Sequence, residues 1–511
     1  MNIFFVRIRL NSSFWIVGAL YALSGLWLWP RTVMLRNDEF AYLESVVNTV
    51  HRGWPASSEW LEPYNLVLPL LSVSTWLVSG NFYASTYGLM ALFAVTCFVL
   101  AWCWFREWLP RGWTGDLALL GIVLSPVWLN KMVEFSGVSL GMVCFLSALL
   151  AWSKRRLVWF FLFVLVGIAN RQSIICLFAL PVVDLFRAWW SGKAFDQFKL
   201  WACVASLVLT GALLAGQPAN FARQLVWQQH LHRTWSQIGL QQLLGLGLMG
   251  GGAAFWAIMR GEIHFRKPDH AARLALACWL LLGVILMRSP SALVHSEMPF
   301  LEKYNDMFVL FSVLLCGVAP LALARVTPEA IAVVVIYIGL VSARGMWWDY
   351  YLLEPMLLLG WCGSTVRQIP PQVLSRTCTL LLLAISVGGM VLMHRHNRSI
   401  ELSVDAYERN SRMGVITIQK ASGAPFGYLG WKLAPLLYQE TPRVSGLSDF
   451  LKFVEDHQSY YLAGRLALYK SLGPPQSIHP TGELWQLPVS YQPRPFPLDN
   501  DEWRKFLQEK R

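Results

Sequence analysis

Carboxylates gathered in one segment are the feature of this sequence that points first to chemistry. Asp38 and Glu39 stand side by side a few residues after an apolar run that ends at Pro30, and further acids follow them. Ionisable residues beside a membrane face usually mark a functional site or a helix cap. We therefore predict that Arg31–Asn81 is an active-site loop. The alternative is that Asp38 only caps a helix that begins in NDEFAYLESV.

Glu134, in the next predicted loop (WLNKMVEFSG), is the second carboxylate of interest. Two acids from separate loops on one side of a membrane can meet over one cavity. One can then act as a general base while the other holds a divalent cation. The alternative is that Glu134 is a solvated loop acid paired with Lys131.

Arg171 interrupts the apolar stretch GIANRQSIICLFALP, whose flanking segments are too short to bury it alone in lipid. A guanidinium suits bidentate recognition of a phosphate. The alternative is an interfacial arginine that snorkels to the membrane surface.

Two later loops each place a cation and a tyrosine just before a helix. The first, SEMPFLEKYNDMFVLFSVLL, contains Lys303 and Tyr304, and the second, SARGMWWDYYLLEPMLLLG, contains Arg344 and Tyr350. Read as a group, the cations and acids suit a substrate with a lipid tail in the bilayer and a phosphate held by Arg and Lys. A carboxylate would then activate an acceptor hydroxyl. The alternative is an aromatic belt with snorkelling cations.

Composition places these residues in a membrane protein. The 511 residues are 55% hydrophobic and only 14% charged, against about 25% charged in a soluble domain. Repeated apolar runs of about 17–22 residues are long enough to cross a bilayer as helices. The net charge of +12 suits cytoplasmic loops and anionic lipid rather than nucleic acid. No Cys/His spacing typical of a metal site appears.

We predict an all-α polytopic fold of about 13 transmembrane helices. Tyr64–Val78 is read as an interfacial helix. The predicted spans are Phe14–Pro30, Tyr83–Phe105, Leu117–Leu129, Phe135–Trp152, Val158–Asn170, Ser173–Phe186, Leu200–Gly216, Gln241–Ile258, Leu274–Met287, Met307–Ala324, Ala330–Val341, Tyr351–Gly363 and Thr379–Met393.

The distribution of basic residues orients these spans. With the N-terminus in the cytoplasm, the inner loops hold roughly 17 Lys and Arg and the longer outer loops roughly 10. This puts the loop of residues 31–82 and the C-terminal tail outside. We predict a transmembrane domain at residues 1–394 and a small extracytoplasmic α+β domain at 395–511. In that domain, Gly414–Gln419 and Glu483–Val489 suit strands, and Leu447–His457 and Tyr460–Lys470 suit helices.

The order of these motifs resembles the GT-C superfamily of integral membrane glycosyltransferases, which take sugars from polyprenyl-phosphate carriers. The motifs are NDEFAYLESVVNTVHRGWP, PYNLVLPLLSVSTWLVSGN, LSPVWLNKMVEFSGVSLGMVCFLSALLAW, GIANRQSIICLFALP and EKYNDMFVLFSVLL. Within the superfamily, the sequence resembles protein O-mannosyltransferases and bacterial lipid A aminoarabinose transferases. The resemblance covers about residues 1–360.

The resemblance implies roles for the acids. The first acid of the outer-loop pair is the catalytic base in that family, which corresponds here to Asp38, with Glu39 as its neighbour. A second outer-loop acid that assists or binds metal corresponds to Glu134. We therefore expect a divalent cation (Mg²⁺, Mn²⁺ or Zn²⁺) at Glu134 and Asp38, and no organic cofactor.

The resemblance also implies the substrate class. Arg171, Lys303 and Tyr304 correspond to contacts with the carrier phosphate, and we add Arg344 to this set. The expected function is transfer of a sugar from a polyprenyl-phosphate donor to a lipid, glycan or protein acceptor, at the outer face of a plasma membrane. A bacterial inner membrane is the expected location. The alternatives are a transporter or flippase of lipid-linked saccharides, and a polymerase or ligase of lipid-linked glycans.

Overall fold

Helices make up most of the chain that the structure describes. The structure is a computed structural model. The described residues are 2–3, 6–7, 11–29, 42, 45–46, 49, 65–80, 82–109, 112–194, 196–215, 242, 255–256, 294–295, 328–344, 347–348, 351, 353–361, 373–412, 415–418, 477–479 and 482–486.

The helices follow the apolar runs of the sequence. In chain order they are α1 (Ser12–Leu28), α2 (Val67–Ser79), α3 (Phe82–Trp108), α4 (Trp113–Val123), α5 (Pro126–Val133), α6 (Gly137–Ser153), α7 (Leu157–Ile168), a 3-10 helix (Gln172–Phe178), α8 (Ala179–Trp190), α9 (Gln197–Ala215), α10 (Pro328–Arg344), α11 (Leu353–Trp361) and α12 (Val373–Arg412). Helices are therefore confirmed in the predicted segments that the structure describes. The segments Leu274–Met287 and Met307–Ala324, and nearly all of Gln241–Ile258, lie outside it.

Three described helical segments are long and apolar enough to cross a membrane. They are Ala84–Trp108, Gln172–Trp190 and Ser375–Arg398, and the bent pair α4–α5 makes a fourth if it counts as one span. The described helices α1, α2, α6 and α7 are apolar but shorter. These segments indicate a membrane protein.

Two segments that the sequence predicts as single helices are interrupted in the structure. Leu117–Leu129 is not one helix, because α4 ends at Val123, α5 begins at Pro126 and the two are bent by 56°. Proline lacks the backbone N–H that would continue the ladder, and it disfavours helical geometry at the residue before it. Ser173–Phe186 likewise begins as the 3-10 helix and continues as α8.

The chain divides into two compact units. The first unit comprises Met1–Leu26, Leu92–Met132 and Gly137–Leu392. Among the described residues it contains two short strand pairs, β1 (Asn2–Ile3) with β2 (Val6–Arg7) and β3 (Val294–His295) with β4 (Trp347–Trp348). Its α6 is buried along almost its whole length, from Gly137 to Ala151, as expected for a helix that is apolar all round. It packs against α7, and α10 packs against both α8 and the 3-10 helix.

Gly167, near the end of α7, lets the following 3-10 helix approach closely. A Cβ at this position would lie 2.8 Å from Ile174 Cδ1 and 3.1 Å from Cys144 Cβ. Only a glycine leaves room for this contact, because a Cβ would need the neighbouring side chains to move. The close approach fixes the turn at Asn170 and Arg171.

The second unit comprises Trp27–Ala91, Val133–Ser136 and Met393–Arg511. Within it, the ring of Trp27 stacks on that of His394, with centroids 4.2 Å apart. Its strands are β5 (Val415–Ile418), β6 (Ser477–His479) and β7 (Gly482–Gln486), in the antiparallel order β5-β7-β6. Strands β5 and β7 thus lie at the two segments for which the sequence predicts strands. The predicted helices Leu447–His457 and Tyr460–Lys470 lie outside the described residues.

Helix α12 packs closely on the break between α4 and α5, where Gly389 lies against Pro126. Gly389→Ala is expected to lower the free energy of unfolding by about 1–3 kcal/mol. The new Cβ would lie 2.8 Å from Pro126 Cγ, and a proline ring has little freedom to move away. Denaturant unfolding in detergent micelles measures the change.

The adjacent glycine supplies the matched control. A Cβ at Gly388 meets nothing within 4 Å, so Gly388→Ala is expected to be neutral or slightly stabilising, as alanine favours helix. Equal stability of the two variants would contradict the packing of α12 on Pro126.

Candidate functional site

The turn between α7 and the 3-10 helix positions Arg171. Its backbone is extended (φ −150°, ψ 113°), and its N–H donates to the Gly167 carbonyl at 2.6 Å. The preceding Asn170 donates its side-chain N–H to the Gly137 carbonyl at 2.7 Å. The first turn of α6 and the last turn of α7 therefore hold the backbone that carries the guanidinium.

The Arg171 side chain is buried inside the first unit, with only 5% of its surface exposed. Its Nη1 lies 3.3 Å from Oε1 of Glu354, which is fully buried. Gly141 of α6 makes room for the pair, because a Cβ there would lie 3.2 Å from Arg171 Cδ and 3.8 Å from Glu354 Oε1. The guanidinium lies within the protein beside a carboxylate, so Arg171 is not a snorkelling residue.

Glu354 belongs to the first turn of α11 and is held by hydroxyl groups as well as by the cation. The Tyr337 hydroxyl of α10 donates to Glu354 Oε2 at 2.8 Å, and the Ser173 hydroxyl lies 3.5 Å from the same oxygen. Charge-assisted bonds of this kind are stronger than neutral ones. We call Arg171, Ser173, Tyr337 and Glu354 the buried ion-pair cluster.

Further groups flank the buried ion-pair cluster in the first unit. The Tyr351 ring lies 5.5 Å from the Arg171 guanidinium carbon, within the range of a cation–π contact. Strand β3 (Val294–His295) pairs in parallel with β4 (Trp347–Trp348) a few residues before Tyr351. The two residues that precede the first of the later loops are therefore paired with residues of the second loop.

The cluster can supply a fixed positive group in an apolar environment. Arginine stays protonated when it is buried, and Glu354 orients it while Tyr337 orients Glu354. Breaking a buried ion pair is costly, because one charge then remains in a medium of low polarity. Such an arrangement fixes the guanidinium N–H donors in place, and an anionic group that binds them would share them with Glu354.

Glu134 follows the last residue of α5 and is fully buried. The alternative of a solvated loop acid is therefore wrong. Asn130 and Lys131, on α5, are buried as well. No three His, Cys, Asp or Glu side chains of the described chain lie close enough to hold a metal ion. Carboxylates do suit Mg²⁺ or Mn²⁺, and Glu134 would be one such ligand.

The remaining predicted site residues are only partly covered by the structure. Asp38, Glu39, Lys303 and Tyr304 lie outside the described residues. Arg344 is the last residue of α10, and only its backbone is described. Of the predicted set, Arg171 is the residue for which the structure gives both partners and geometry.

Glu354, the partner of Arg171, and Tyr337, which donates to Glu354, were not among the predicted site residues. Glu354 is an acid within the apolar run YLLEPMLLLG, and Tyr337 lies within VVVIYIGLV. An ionisable residue within a predicted membrane helix is itself a signal of function, so Glu354 could have been named. Its pairing with Arg171 could not, because nothing in one sequence links these distant positions.

Comparison with known proteins adds no family. No family model matches this sequence, and no curated protein matches it significantly.

Proposed function

We propose that the chain is a GT-C-like membrane glycosyltransferase, which moves a sugar from a polyprenyl-phosphate donor to an acceptor at the outer face of the membrane. The observation that carries the proposal is the buried ion-pair cluster. Arg171 is enclosed in an apolar helical protein and paired with Glu354, which accepts a hydrogen bond from Tyr337. A buried charge of this kind is costly to keep and marks function. A carrier phosphate is the anion that the neighbouring motifs suggest.

In the proposed reaction, Asp38 takes the proton of the acceptor hydroxyl and Glu39 assists it. The acceptor oxygen attacks the anomeric carbon as the bond from that carbon to the phosphate oxygen breaks. The phosphate departs with the bonding electrons, and direct displacement inverts the configuration at the anomeric carbon. Arg171 stabilises the negative charge that grows on the departing phosphate.

Three further residues contact the phosphate in this proposal. Lys303, Tyr304 and Arg344 come from the later loops, and the pairing of β3 with β4 supports their convergence. Glu134 and Asp38 would hold a divalent cation, which would supply additional positive charge near the phosphate.

We further propose about 13 crossings of a bacterial inner membrane, with the N-terminus in the cytoplasm and residues 395–511 outside. The arrangement of charge in the sequence supports this topology.

A transporter or flippase of lipid-linked saccharides is the second candidate. Such proteins place paired charges within helices and use interrupted helices near the substrate. The Arg171–Glu354 pair and the 56° bend between α4 and α5 are features of this kind. The two candidates differ in whether the bond between sugar and phosphate is broken.

A transfer assay tests the proposal and separates the two candidates. Purified full-length protein is incubated with lipid extract and acceptor fractions from its host, with and without EDTA. Mass spectrometry follows loss of sugar from polyprenyl-phosphate lipids, with Asp38→Ala as the inactive control. Loss with wild type alone supports the transferase, and its suppression by EDTA adds the cation. Intact donor lipids together with lipid flipping in liposomes would support the transporter instead.

A further inference from the structure

Ion pairs form a layer at one end of the first unit, where α3, α6 and α8 finish and α4, α7, α9 and α10 begin. The pairs are Arg106–Asp116, Lys154–Glu107, Lys199–Asp184, Lys199–Asp196 and Arg187–Glu329. They use every acid of this layer that the structure describes. Lys199 pairs with both Asp184 and Asp196, so the five acids share four cations and the pairs leave one net negative charge.

Three exposed cations of the same layer lie in turns and have no such partner among the described residues. Arg155 and Arg156 lie in the turn between α6 and α7, and Lys193 lies in the turn between α8 and α9. Within the described ranges, no acid lies within 4.0 Å of their charged groups. The turns are at one end of the unit, because Lys199 of α9 lies 5.6 Å from the ring centroid of Trp152 on α6.

The helices beside these turns repeat one order of side chains. Tryptophans come next to the turns, and four are exposed: Trp159 (39%), Trp189 (59%), Trp190 (78%) and Trp201 (66%). Exposed aliphatic residues such as Leu162, Val182 and Val208 lie further along α7, α8 and α9. Cations, then tryptophans, then aliphatic residues match the headgroup, interface and acyl-chain layers of one membrane leaflet.

We propose that this surface binds anionic phospholipid, with headgroup phosphates at Arg155, Arg156 and Lys193 and acyl chains against α7, α8 and α9. A zwitterionic headgroup leaves the excess positive charge uncompensated. An acidic soluble partner does not account for the exposed aliphatic residues beyond the tryptophans. The proposal is independent of the glycosyltransferase assignment.

Lipid binding here also orients the first unit. The basic turn before α7 and the buried ion-pair cluster lie at opposite ends of that helix, since Arg156 precedes Leu157 and Arg171 follows Ile168. If the basic turns bind one leaflet, the buried ion-pair cluster therefore lies nearer the other leaflet.

Native mass spectrometry of the full-length protein in detergent tests the proposal. Phosphatidylglycerol and phosphatidylcholine with the same acyl chains are titrated, and the affinity of each is measured. Wild type is expected to prefer phosphatidylglycerol. The triple variant Arg155→Gln, Arg156→Gln, Lys193→Gln is expected to bind it roughly a hundredfold more weakly, since each basic residue near a membrane surface contributes roughly fivefold.

Two comparisons make the test specific. Arg155→Lys with Arg156→Lys keeps the charge and is expected to keep the preference. A second triple variant (Arg395→Gln, Arg398→Gln, Arg412→Gln) removes the same net charge from α12 and is expected to leave the affinity nearly unchanged. Equal affinity of wild type for the two lipids, or an equal loss in both triple variants, would overturn the proposal.

Discussion

Glu354→Gln is expected to lower the free energy of unfolding by about 3–5 kcal/mol. The substitution keeps the shape of the side chain but removes the negative charge that lies 3.3 Å from Arg171 Nη1. The guanidinium then stays buried without this counter-charge, and the Tyr337 hydroxyl loses a charged acceptor. Denaturant unfolding in detergent micelles measures the change.

A second acid provides the matched control for this prediction. Glu329 pairs with Arg187 at 2.6 Å, but the Arg187 side chain is 53% exposed. The Glu329 side chain is itself buried, but its neutralisation leaves only the exposed Arg187 charge, which water solvates. Glu329→Gln is therefore expected to change stability by only about 0–1 kcal/mol. Arg171→Met combined with Glu354→Met is expected to recover much of the loss, because no unpaired charge remains. Equal stability of Glu354→Gln and Glu329→Gln would contradict the role of the buried pair.

Within the described ranges, the helices were predictable where the apolar runs are long. The run Tyr83–Phe105 gives α3 at Phe82–Trp108, because both lipid and a packed interior favour a continuous apolar helix. Breaks within these helices were harder to predict from the sequence. Pro126 was a signal for the break between α4 and α5, yet the sequence stays apolar across the break, so hydropathy alone does not reveal it.

The last helix, α12, extends beyond the apolar run from which it was predicted. The apolar run ends near Met393, but α12 continues to Arg412 through polar residues. Hydropathy reports which residues avoid water, and a helix that leaves an apolar environment keeps its backbone hydrogen bonds without that signal. A boundary predicted at residue 394 therefore falls within a continuous helix.

The sequence pointed to individual residues of the candidate site but not to the contacts between them. Arg171 stood out because a charge within an apolar run needs a partner. The fold determines that the partner is Glu354, and that Gly141 leaves space for the contact. These three residues come from separate helices or turns, and one sequence does not record which of them meet.

Asp38→Asn is expected to lower sugar transfer by about 10²–10⁴-fold, the usual contribution of a general base. Asparagine has nearly the same shape as aspartate but cannot take the proton of the acceptor hydroxyl. The measurement is the rate of sugar loss from the polyprenyl-phosphate donor at saturating acceptor. Glu44→Gln, which neutralises another acid of the same loop, is the control and is expected to retain most of the activity.

Substitutions of Asp38 also distinguish its role as a general base from a role as a helix cap. Asparagine caps a helix about as well as aspartate, whereas alanine costs roughly 1 kcal/mol. If Asp38 is the base, Asp38→Asn and Asp38→Ala both lose transfer, and the asparagine variant keeps wild-type stability. If Asp38 is only a cap, Asp38→Asn stays active and Asp38→Ala is the destabilised variant. Activity and unfolding measured on both variants therefore distinguish catalysis from local structure at this residue.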